Sequence, residues 1–206
     1  MSKRWLRHFM PIAGILLLAS MNVQAARDPR PADVTIFVSG DDYPPAAVEF
    51  GARGAVSWMY DQIGIRLAWR SGSPPKGDVH GSPVSIQVLF AKDRPNNATP
   101  EALAFALPLA DRATIITVMY DRIRSIAARP ASAQAILSHV LAHEIGHVLM
   151  ASDGHAGTGI MKAHWNGQDY AAMARKPLEF TPDNVELIVK GLTLRKSRNA
   201  GEHARP

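Results

Sequence analysis

The chemistry in this chain concentrates in His143-Glu144-Ile145-Gly146-His147. On a helix, two histidines four places apart lie about one turn apart on the same face, so both imidazoles can grip one metal ion. Glu144 sits one place after the first histidine. It can lie beside the metal without binding it and act as general base toward an attacking water. Composition alone would produce such a string roughly 0.01 times in a chain of this make-up. A catalytic zinc centre needs a third protein ligand and keeps a place for water. His155 is the leading candidate, because Gly154 lets the chain turn back over the helix end; Asp153 and His164 are the alternatives. Five of the eight histidines crowd this region: His139, His143, His147, His155 and His164. His139, one turn before His143, reads as solvent-facing, with a supporting role behind the metal ligands as the alternative, and His80 and His203 read as surface residues.

Other chemistries are excluded or unsupported. With no cysteine, the chain has no disulfide, no Cys-type zinc finger, no iron–sulfur cluster and no thiol nucleophile. No catalytic triad or phosphate-cradling loop stands out. Gly51-x-x-Gly54 falls inside a predicted helix, not after a strand, so it is no nucleotide fingerprint. Trp58, Tyr60 and Trp69 read as core residues, not as a binding platform.

The motif has to be held by a helix, and the surrounding pattern supplies one. After Pro130, apolar residues recur at helical spacing through Ile136, Leu137, Val140, Leu141, Val148 and Leu149. Ahead of it, residues 34–38 alternate as a strand. Pro44 and Pro45 open a helix carrying Val48, Ala52, Ala55, Met59 and Ile63, which Gly64 stops. Residues 65–69 and 84–90 alternate as strands, with loops over 71–83 and 92–100. Leu103, Ala104, Phe105, Ala106 and Leu107 suit an edge strand stopped by Pro108. Residues 114–120 are apolar on both faces, as in a strand inside a sheet. A short helix near 168–175 and a capped helix from Thr181 close the domain. The order is that of one mixed α/β domain.

At the N-terminus, Lys3, Arg4 and Arg7, an apolar run from Ile12 to Ala19, and Val23-Gln24-Ala25 together read as a signal peptide over residues 1–25. Export to the periplasm or the medium follows. Without the leader the net charge falls from +5 to about +2, a weak argument for any nucleic-acid partner. No membrane span is expected after cleavage, and the chain reads as a monomer. The expected organisation is a leader, one domain over 26–195, and a basic flexible tail over 196–206.

His143 to His147, followed by Asp153-Gly154-His155 and Gly159-Ile160-Met161, resembles the metzincin zinc peptidases. Their pattern is HExxHxxGxxH or HExxHxxGxxD with a later methionine turn beneath the metal. The chain is also similar to exported bacterial members with a histidine at this later spacing. The motif resemblance covers 143–161 and the architectural one about 33–165. It implies a zincin-like α/β (α+β) fold, with a mixed four- to five-stranded twisted sheet, an antiparallel edge strand, two long helices and a C-terminal helix. It implies Met161 as the turn methionine, and substrate backbone docked along Leu103 to Leu107. The chain departs from the pattern at Met150, where the family has glycine, and at Asp153, where the family has its third ligand. The family's tyrosine after the methionine is absent; His164 or Trp165 stands in that neighbourhood. The expected function is a secreted or periplasmic zinc endopeptidase acting on peptide or protein substrates. His143, His147 and His155 would bind Zn2+, and Glu144 would be the base. The alternative is an inactive exported module of the same fold with a structural metal.

Overall fold

The computed structural model describes residues 31–74, 84–93, 101–106 and 114–202. Residues 1–25, His80, Leu107 and His203 lie outside them. Among the described residues, five strands form one sheet in the order β2-β1-β3-β5-β4. β1 (Val34–Gly40) lies between β2 (Leu67–Ser71) and β3 (Ser85–Phe90), parallel to both, and β3 is parallel to β5 (Thr114–Val118). β1 is buried from Val34 to Val38, as an interior parallel strand must be. β4 (Ala104–Ala106) pairs antiparallel with β5 and ends the sheet, with Ala106 opposite Ile116. The mixed α/β class and the antiparallel edge match the sequence reading. The edge strand is shorter than expected, since Leu103 is a bend before it.

α1 (Ala46–Asp61) and α3 (Pro130–Met150) pack together. Val48, Ala52, Val56 and Met59 form the buried stripe of α1, each large side chain stabilising the fold by about 1.5–3 kcal/mol. Gly64 takes φ +76° just beyond that helix, the left-handed turn that glycine allows without penalty. At the end of α1, the Tyr60 hydroxyl donates to the Ala142 carbonyl at 2.9 Å. The sequence reading placed Trp58 in the core, but it is 45% exposed, because it falls on the outer face of α1.

Three elements depart from expectation. A strand over 114–120 is cut short at Val118, and α2 (Tyr120–Ile126) begins two residues on. Tyr120 and Ile123 are buried at helical spacing. α4 (Gly167–Met173), by contrast, lies where a short helix near 168–175 was expected, and is fixed by a capping box between Asn166 and Asp169. α5 (Pro182–Glu202) continues past residue 195 into the segment expected to be a flexible tail. Lys196 pairs with Asp33 there. α5 crosses α3 so closely that a Cβ on Gly191 would stand 1.9 Å from the Leu149 carbonyl oxygen.

Candidate metal centre

α3 is the central helix. Every residue from Ile136 to Leu149 is buried except Glu144. A helix apolar nearly all round belongs in the interior, so the one opening in its wall lies at the residue read as the base. Helical geometry puts His143 and His147 on one stripe, and the loop after the helix returns His155 to them. One nitrogen from each imidazole lies within 4.8 Å of the other two. Ring centroids are 4.6 Å apart for His143 and His147, 5.3 Å for His143 and His155, and 4.8 Å for His147 and His155. His143 and His147 are buried and His155 is exposed.

Backbone carbonyls orient the two helical imidazoles. His143 Nδ1 donates to the Ile160 carbonyl at 2.8 Å, and His147 Nδ1 donates to the Ser152 carbonyl at 2.8 Å. A carbonyl can only accept, so both Nδ1 atoms carry hydrogen. In the neutral rings both Nε2 atoms are then bare lone pairs, and they face each other at 2.9 Å. Two acceptors at that distance repel unless a cation sits with them. A proton is a poor candidate: burial pushes His143 down to about 4 and also lowers His147. A divalent metal, for which neutral imidazole is a natural donor, resolves the conflict. These residues therefore fit a metal ion.

The loop that closes the site is itself braced. α3 ends at Ala151 in the left-handed conformation, φ 52° and ψ 44°. Ser152 N–H returns to the His147 carbonyl at 3.3 Å, so Ser152 holds His147 from both sides. Ala156 N–H donates to the Met161 carbonyl at 2.7 Å, tying the residue after His155 to the turn. Met161 is fully buried beneath the motif. A Cβ at Gly146 would stand 2.6 Å from its sulfur, so any side chain there would require the Met161 side chain to shift. Gly159 takes φ +75° against the Glu179 carbonyl, letting the chain turn where Ile160 must present its oxygen to His143.

Of the alternative third ligands, Asp153 is exposed and outside the histidine group, acting on His147 only through its charge. His164 is exposed and also outside it. Trp165 takes the place beside the metal residues: its ring meets His143 edge-on at 5.3 Å, and its indole N–H donates to the Gly159 carbonyl at 3.3 Å.

No family model matches this chain, and no curated protein is similar enough to count as a relative.

Glu144 differs in kind from the histidines. Burial pushes its carboxyl up to about 7, against the lowering effect of the Ala106 backbone N–H that it accepts from. Solvent still reaches it in part, beside β4. Ala104 and Ala106 are buried against the helix, while Phe105 is half-buried. One reading is overturned. His139 was expected to face solvent, but it is 1% exposed. Its Nδ1 donates to the Ala135 carbonyl at 2.7 Å and its Nε2 accepts from Leu178 N–H at 2.9 Å. It shares the stripe of His143 and His147, which the spacing of four already implied. Its partner lies 39 residues away, where no local pattern reaches.

Proposed function

We propose that the chain is a zinc-dependent peptide-bond hydrolase of the metzincin type, exported to the periplasm or the medium. The observation that carries the reading is the pair of facing Nε2 lone pairs, with His155 as third donor and Glu144 opening beside them. Three imidazoles leave a fourth tetrahedral position free, the hallmark of catalytic rather than structural zinc. A zinc ion held by His143, His147 and His155 supplies Lewis acidity toward water and toward a substrate carbonyl.

Glu144 is the proton carrier. A carboxyl near 7 is matched to taking a proton from water and returning it to a leaving amine. The Ala106 N–H holds that carboxyl against β4, so the base and the edge strand share one wall. β4 ends the sheet, and an extended substrate backbone can align along such an edge. Ala104, Phe105 and Ala106 supply that edge here, with Leu103 at its entrance. The N-terminal pattern over residues 1–25 supports export. Among the described residues no helix is long and apolar enough to cross a membrane.

Hydrolysis of a mixed peptide library tests the assignment. Glu144→Ala should keep fold and zinc while losing about 10²–10⁴ in rate. An inactive module with a structural metal is the alternative: wild type then cleaves nothing, Glu144→Ala changes nothing, and His143→Ala destabilises the domain.

A further inference from the structure

A closed circuit of hydrogen bonds runs beneath the metal residues and passes through a histidine outside the motif. His139 Nε2 accepts from Leu178 N–H at 2.9 Å. The next residue, Glu179, accepts from Ile160 N–H through its carbonyl at 3.0 Å. Ile160 in turn accepts from His143 Nδ1 at 2.8 Å. One turn of α3 joins His143 back to His139. Trp165 fills the space over the circuit, its ring edge-on to both imidazoles at 5.3 and 6.3 Å. We propose that His139 is a positioning residue: by anchoring the segment at Leu178 and Glu179, it holds the Ile160 carbonyl under His143 and so fixes that ligand's tautomer and orientation.

The chemistry at each joint allows only one polarity. The Ala135 carbonyl can only accept, so His139 Nδ1 carries hydrogen and Nε2 is free to receive Leu178 N–H. Leu178 and Glu179 are adjacent, so the anchored N–H and the carbonyl that holds Ile160 move together. The space is tight at that point, with the Glu179 oxygen 2.3 Å from where a Gly159 Cβ would be. Without His139 the circuit loses the side-chain hydrogen bond that ties α3 to this segment, and the Ile160 carbonyl can drift. His143 then samples both tautomers. Groups that orient a metal-binding histidine typically matter 10–100-fold in metal affinity.

The tautomer arm of the test stands without any metal; only the affinity arm rests on the zinc reading. In metal-free protein, long-range nitrogen–proton NMR correlations of the imidazole rings report the His143 tautomer. Wild type should show the Nδ1–H form alone, and His139→Phe a mixture. His139→Gln, whose amide oxygen can accept from Leu178, should restore the wild-type pattern. Zinc affinity, by competition with a chromophoric chelator, should fall about 10–100-fold in His139→Phe and within threefold of wild type in His139→Gln. Should His139→Phe not fold, Leu178→Pro deletes the same bond from its donor side, and the tautomer mixture is expected there. A folded His139→Phe, or a folded Leu178→Pro, with an unmixed His143 tautomer overturns the proposal. Wild-type protein with the Nδ1–H tautomer but no zinc uptake overturns the zinc reading and leaves the positioning role intact.

Discussion

Two bare nitrogens 2.9 Å apart are the sharpest fact at the scale of single residues, because their carbonyl partners leave no other assignment. His143→Ala and His147→Ala should each lower zinc affinity by more than about 100-fold, measured by competition titration. In the metal-free protein the site's titratable groups pull stability in opposite directions. His143 goes from 6.5 unfolded to about 4 folded. It binds fewer protons in the fold, so its contribution is complete above pH 6.5 and is lost as pH falls toward 4. Glu144 goes from 4.5 to about 7. It binds more protons in the fold, so its contribution is complete below pH 4.5 and is lost as pH rises through 7. At 1.36 kcal/mol per unit each amounts to about 3 kcal/mol, and the two offset each other between pH 4.5 and 6.5. The lowered His139 and His147 then decide the sign, and stability rises with pH over that interval. Glu144→Gln removes the opposing group. Denaturant titrations from pH 5 to 7 should show a steeper rise, with the variant about 1–3 kcal/mol more stable than wild type at pH 7. An unchanged slope contradicts the burial assigned to Glu144.

The loop after α3 is where the chain differs from the metzincin pattern that its motif resembles, and its geometry supplies the reason. The helix runs through Met150, and the left-handed residue is Ala151, one place after the position where the family has glycine. The loop therefore starts later, and the third imidazole arrives at His155 while Asp153 faces solvent. An alanine at φ 52° carries about 1–2 kcal/mol of backbone strain. Ala151→Gly should relieve it, net of chain entropy, by about 0.5–1 kcal/mol, read as a higher melting temperature. Gly191→Ala is the opposite case. Its Cβ would meet the Leu149 backbone oxygen, which cannot swing away, so α5 must part from α3 at a cost of about 3 kcal/mol or more. The helices and central strands were legible because their apolar residues repeat at 3.6 or 2 along long segments. α2 was not, since seven residues give too few repeats to separate it from the strand before it. The extension of α5 escaped because residues 196–202 offer no apolar stripe. The Leu178 partner of His139 and the Ile160 and Ser152 carbonyls escaped because they arrive by tertiary approach, which no spacing along the chain encodes.

Across the whole molecule, the sheet and the α1–α3 packing supply most of the core, to which the 151–161 loop adds only Ile160 and Met161. The metal should therefore add stability to a fold that exists without it. At a free zinc concentration a thousandfold above Kd, binding adds about 4 kcal/mol. For a domain of this size that is a rise of about 10 °C in melting temperature, reversed by a chelator without loss of far-ultraviolet circular dichroism. Collapse of secondary structure on chelation would make the metal a folding element instead. The most direct measurement is the zinc content of the purified chain after loading and gel filtration, wild type beside His143→Ala. One zinc per wild-type chain and none in the variant is the expected result. Wild type without zinc, or a zinc that survives loss of His143, would contradict it.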